Sequence, residues 1–168
     1  QGYEYLCRVG EAKRWIENCI EEELPSEAEL CNDGFRDGVI LAKLTRAFVP
    51  ELGRKIIPSS KKLQFRHTEN INNFFQFLDI VEIPELFRFE LTDLYDKKNI
   101  PKVIFCIHAL SFLLAQDEKA PQMTELVGKL EFTDEEISAS QKALNGAHLP
   151  NFNSVKKEQS NETLVRSN

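Results

Sequence analysis

The sequence predicts an all-α fold: four main helices around a central buried one near the C-terminal end, short connecting helices, and a helical extension after them. Three observations lead there. Apolar residues recur at three- and four-residue spacing in several separate stretches, as they do on helices with one apolar face. Pro101 to Gln116 is apolar around almost its whole circumference, which marks a helix enclosed by others. And 168 residues with 42% hydrophobic and 29% charged content suit one domain with a real core.

The first helix spans about Tyr5 to Glu23. Val9, Ala12, Ile16, Cys19 and Ile20 make its apolar face, with Trp15 beside them, and Glu17, Glu21, Glu22 and Glu23 take the wet side. Leu24-Pro25 ends it. After a turn at Leu30 to Gly34, a second helix of about Phe35 to Phe48 carries Val39, Ile40, Leu41, Leu44 and Phe48, and Pro50 closes it. Glu51 to His67 reads as a loop, too polar for core and too long for a mere connector. Thr68 is the expected N-cap of a third helix, about Glu69 to Val81, striped by Ile71, Phe74, Phe75, Leu78 and Val81. Pro84 ends that helix. Leu86, Phe87, Leu91 and Leu94 then anchor a winding segment of short turns.

Asn99 caps the fourth helix, with Pro101 in its first turn, where a missing N–H costs nothing. Thr133 and Glu136 form a capping box for a further helix, about Asp134 to Asn145, closed by Gly146. The expected core comprises Trp15, Phe35, Leu41, Leu44, Ile71, Phe75, Leu78, Leu94, Val103, Ile107, Leu110 and Leu114. The chain thus divides into a core unit at 1–116, an extension at 117–147 packed on or following it, and a flexible tail or linker at 148–168, rich in Asn, Ser, Lys and Glu.

A net charge of −6 gives the chain no overall attraction to nucleic acid or an anionic membrane, so neither partner is expected. Cys7, Cys19, Cys31 and Cys106 lack metal-knuckle spacing and read as reduced structural thiols. No signal peptide opens the chain, and Val103 to Ala115 is too short for a bilayer, which needs about 20 residues; a cytosolic protein is expected. No cofactor or metal is expected. There is no glycine-rich phosphate loop, and the faint calcium-loop start at Asp33, Gly34 and Asp37 meets Leu44, not Glu, at its twelfth position. His108 reads as a satisfied core histidine and His67 as a surface group. No local nucleophile–base set suggests catalysis, so an enzyme is not expected.

The charge is unevenly placed. Arg54, Lys55, Lys61, Lys62 and Arg66 lie in a stretch with no acid, preceded by Lys43 and Arg46. Ile16 to Asp33 holds seven acids and no Lys or Arg. A second basic group, Lys97, Lys98 and Lys102, surrounds the entry to the buried helix. A segregated basic loop on an acidic protein suits an acidic partner surface, although a merely solvated loop would have the same composition.

Phe35-Arg36-Asp37-Gly38-Val39-Ile40-Leu41-Ala42-Lys43-Leu44 resembles the second-helix signature of calponin-homology domains. Asn70-Ile71 with Phe75 and Leu78 resembles the third-helix signature. Asp93-Leu94, Lys98-Asn99, Val103, Cys106, Ala109 and Leu110 resemble the last. The likeness is closer still to the N-terminal domain of IQGAP-type scaffold proteins, through Tyr3 to Cys7, Glu11 to Trp15, Phe65 to Asn70, Lys98 to Lys102 and Phe132 to Ile137. The loop at Glu51 to Lys62 is shorter than in animal members, which suggests a fungal-like one.

The resemblance implies a calponin-homology fold and a domain that binds actin filaments in a cytoskeletal scaffold, at the cell cortex or cytokinetic ring. The regions used by tandem calponin-homology actin binders correspond to Tyr3, Tyr5 and Arg8; to Lys43, Arg46, Arg54, Lys55, Lys61, Lys62 and Arg66; and to Lys97, Lys98 and Lys102. The alternative is a docking module for calmodulin, a signalling partner or a microtubule, since a basic loop does not by itself distinguish acidic surfaces. No heptad run is present, so the isolated fragment is expected to be a monomer.

Overall fold

The computed structural model describes residues 1–147 and residue 149. They form α1 (Gly2–Ile20), α2 (Glu27–Leu30), α3 (Val39–Phe48), α4 (Thr68–Val81), α5 (Leu91–Tyr95), α6 (Ile100–Gln116) and α7 (Asp134–Asn145). Short 3-10 turns lie at Pro50–Gly53, Phe65–His67 and Glu85–Phe87. The expected tail from 148 onward falls outside the described residues, apart from residue 149.

The centre is α6. Val103, Ile104, Phe105, Cys106, Ile107, Ala109 and Leu110 are fully enclosed, and α1, α4, α5, α7 and the Glu85–Phe87 turn pack against it. Its start follows from two local devices: the Asn99 side chain accepts the Lys102 N–H at 3.3 Å, and Pro101 occupies the first turn. Trp15, Phe48 and Phe77 stack in sequence, at 6.3 and 5.6 Å between ring centres, and join α1, α3 and α4. No helix among the described residues is long and apolar enough to cross a membrane.

Several boundaries differ from the sequence expectation. α1 begins at Gly2 and stops at Ile20, because Glu21 turns left-handed at φ 57°. The Glu17 carboxylate then accepts the Leu24 N–H at 2.8 Å and draws the chain back. α3 starts at Val39, not Phe35, because Gly38 at φ 71° breaks the helical path; a Cβ there would lie 2.7 Å from Asn70 Cβ. The single-turn α2, capped by Ser26, was not anticipated. Thr68 is the first residue of α4 and not its cap: its hydroxyl donates to Phe65 O at 2.8 Å.

Phe75, expected in the core, is half-buried against Phe89. Asn70, Ile71, Phe74, Phe77 and Leu78 hold the buried face of α4. Phe75 falls at the edge of that three-four stripe, so Phe77 fills the position assigned to it. Trp15, Phe35, Leu41, Leu44, Ile71, Leu78, Leu94, Val103, Ile107, Leu110 and Leu114 are all buried.

After α6 the chain runs back along α1 as a strap. Pro121 O accepts Trp15 Nε1–H at 3.1 Å, the Leu126 N–H donates to Glu11 at 2.8 Å, and Leu130 O accepts the Tyr3 hydroxyl at 2.6 Å. α7 crosses the N-terminal end of α1, where the Gly2 N–H donates to Gln141 Oε1 at 3.1 Å. A Cβ on Gly2 would sit 2.3 Å from Ile137 O, so the close approach requires glycine. The Thr133–Glu136 capping box at the start of α7 is formed, at 2.9 and 3.1 Å.

Candidate functional site

The basic loop is held on a rigid frame. Gly53 presses on the last turn of α3, where a Cβ would meet Arg46 Cβ at 2.2 Å, so Arg54 and Lys55 emerge beside Arg46. Ile57 is buried, and its backbone is gripped by Asn70: Oδ1 accepts the Ile57 N–H at 2.9 Å and Nδ2 donates to Ile57 O at 2.8 Å. Nδ2 also donates to Asp37 O at 2.8 Å. The Ser59 hydroxyl donates to Asp37 Oδ2 at 2.6 Å.

His67 completes the frame. The Gln64 N–H donates to its Nδ1 at 2.9 Å, which places the ring proton on Nε2, and Nε2 donates to Pro58 O at 2.9 Å. The expectation of a surface histidine is therefore corrected: the side chain is fully buried because two stretches of backbone use both ring nitrogens.

Around this frame Arg46, Arg54, Lys55, Lys61, Lys62 and Arg66 are all exposed. Among the described residues none of them forms an ion pair; Arg66 Nε donates to the neutral Gln64 Oε1 at 2.6 Å. Other basic residues are already engaged. Lys43 pairs with Glu22 at 2.8 Å. Lys97 reaches Asn32 at 2.8 Å and Asp33 at 3.3 Å. Arg36 also bonds Asp33, at 3.1 Å, and this hydrogen bond is the first cause holding the Asp33 carboxyl below its ordinary range.

Lys98 is exposed and Lys102 half-buried at the start of α6. Lys97 and Lys98 line a groove of about 480 Å³ that Glu135 and Glu136 of α7 also line. Lys97 and Lys98 therefore share that groove with two carboxylates.

Two expected contact residues lie elsewhere. Tyr5 is 3% exposed and belongs to the core, so it offers a partner no surface. Arg8 is held by Glu11 at 3.0 Å and Glu4 at 3.4 Å, with its side chain 15% exposed. The strap and α7 pack on α1, which the sequence reading had left open. Tyr3 is likewise occupied, by Leu130 and Phe132. One residue was missed: Phe65 is 78% exposed, next to Arg66. Its signal in the sequence was its place in a polar segment with no apolar stripe to join.

The family described as calponin homology (CH) domain matches residues 6–114. The chain is 48% identical over 155 residues to the Ras GTPase-activating-like protein IQG1 of Candida albicans, covering 92% of this chain and 9% of that protein. It is 52% identical over 144 residues to the protein of the same name in Saccharomyces cerevisiae, covering 84% of this chain and 10% of that one. It thus spans about a tenth of the length of these curated relatives. The solved calponin-homology domain of an IQGAP protein from Schizosaccharomyces pombe matches with a TM-score of 0.82 and 45% identity, over 92% of this chain and 97% of that one. The chain belongs to the calponin homology family, and within it to the IQGAP type.

Proposed function

We propose that this domain is a binding module, not an enzyme, and that it binds actin filaments through the loop at 54–66 together with Arg46. One observation carries the reading: six exposed cations without ion-pair partners among the described residues stand on a pinned frame in a protein of net charge −6. Actin filaments present carboxylates, and free cations on a preorganised loop meet them at low ordering cost. Lys98 and Lys102 can extend the surface. The parent role proposed is that of a cytoskeletal scaffold at the cortex or cytokinetic ring.

A calmodulin-type partner requires an accessible basic amphipathic helix. The candidate was α3, but Ile40, Leu41 and Leu44 are buried and Lys43 is paired with Glu22, which argues against it.

Filament co-sedimentation at two salt concentrations tests the proposal. Lys61→Glu with Lys62→Glu should lower pelleting several-fold and flatten its salt dependence. Unchanged pelleting by the folded double variant removes the loop from the interface. Calcium-loaded calmodulin offered in parallel should not be captured.

A further inference from the structure

We propose that Phe65 is the apolar anchor of the filament interface, an inference that rests on the filament reading above. Among the described residues it is the only phenylalanine classed as exposed; the other ten described are buried or half-buried. Its backbone is fixed. The Gln64 carbonyl accepts the His67 N–H at 2.9 Å, the Phe65 carbonyl accepts the Thr68 hydroxyl at 2.8 Å, and His67 bonds the Gln64 N–H.

The ring therefore stands out from a pinned turn, with Arg66 next in sequence. Pro58, held to His67, brings the segment carrying Lys61 and Lys62 to the same turn. Isolated exposed apolar side chains are common on protein surfaces. Phe65 differs in being preorganised and in belonging to a loop whose cations form no ion pair among the described residues. Binding energy in protein interfaces concentrates in a few large anchor residues that surrounding contacts shield from water. The partner surface it fits has an apolar recess bordered by carboxylates. The cations supply the salt-sensitive part of binding and Phe65 the salt-resistant part.

Wild type, Phe65→Ala, Phe65→Leu and the Lys61→Glu, Lys62→Glu double variant are compared by filament co-sedimentation at low and high salt, after thermal melts confirm an unchanged fold. Phe65→Ala should weaken binding about tenfold or more at both salts with the salt slope preserved, and Phe65→Leu should recover most of it. If Phe65→Ala pellets like wild type while the charge-reversed variant is lost, the anchor is overturned and the filament reading stands. If wild type itself does not pellet, both fall.

Discussion

The side-chain amide of Asn70 closes both backbone polar groups of Ile57, accepting its N–H at 2.9 Å and donating to its carbonyl at 2.8 Å. A residue at the start of α4 thereby fixes the conformation of a loop thirteen residues upstream. Asn70→Ala leaves Ile57 N–H, Ile57 O and Asp37 O without these partners. A loss of about 2–4 kcal/mol is expected, because buried groups are left unmade. Urea denaturation checks the magnitude. Hydrogen exchange checks the cause, since the Ile57 amide should lose its protection.

Glu11 joins the strap to α1. Its carboxylate is 2% exposed, pairs with Arg8 at 3.0 Å and accepts the Leu126 N–H at 2.8 Å. Glu11→Ala removes the Leu126 acceptor and one partner of Arg8, at a cost of about 3–5 kcal/mol. Limited proteolysis of the variant should cut first within 117–133. A first cut in the loop at 51–67 instead would count against the strap as the weakened element.

Burial raises the thiols of Cys19 and Cys31 to about 11 and that of Cys106 to about 12, from an ordinary 9.0. The unfolded chain therefore releases these protons first. Their contribution to stability is fully present below pH 9 and is lost as pH rises through 9 toward 11–12. The urea midpoint should fall over that range, and the fall should be shallower in Cys106→Ala. Thiol reagents at pH 8 should modify Cys106 only on unfolding.

Ile107 and Leu110 are fully enclosed on α6. Truncation of either to Ala should cost about 2–5 kcal/mol through the lost burial and the cavity left behind. Filament binding should then fall in step with the loss of helical circular dichroism. Lost binding with full helicity would instead indicate a contact role for α6.

The helices were legible in the sequence because their apolar spacing is a local property. The burial of α6 followed from its lack of a wet face, and the capping residues Asn99 and Thr133 act on neighbours three residues away. The basic loop was legible as composition, since charge is written directly in the chain. What composition could not supply was which charges remain free. Lys43 is paired with Glu22, twenty-one residues distant, and Lys97 with Asp33 across sixty-four. Such pairings exist only once helices are docked. Tyr5 likewise looks available on the first helix until the packed core encloses it, whereas Arg8 is held within α1 itself by Glu4 and Glu11. His67 and Phe65, two residues apart, make the division plain. Sequence marks both as part of one polar loop, and only the folded loop, with His67 bonded to Gln64 and Pro58, turns one side chain inward and leaves the other standing in solvent.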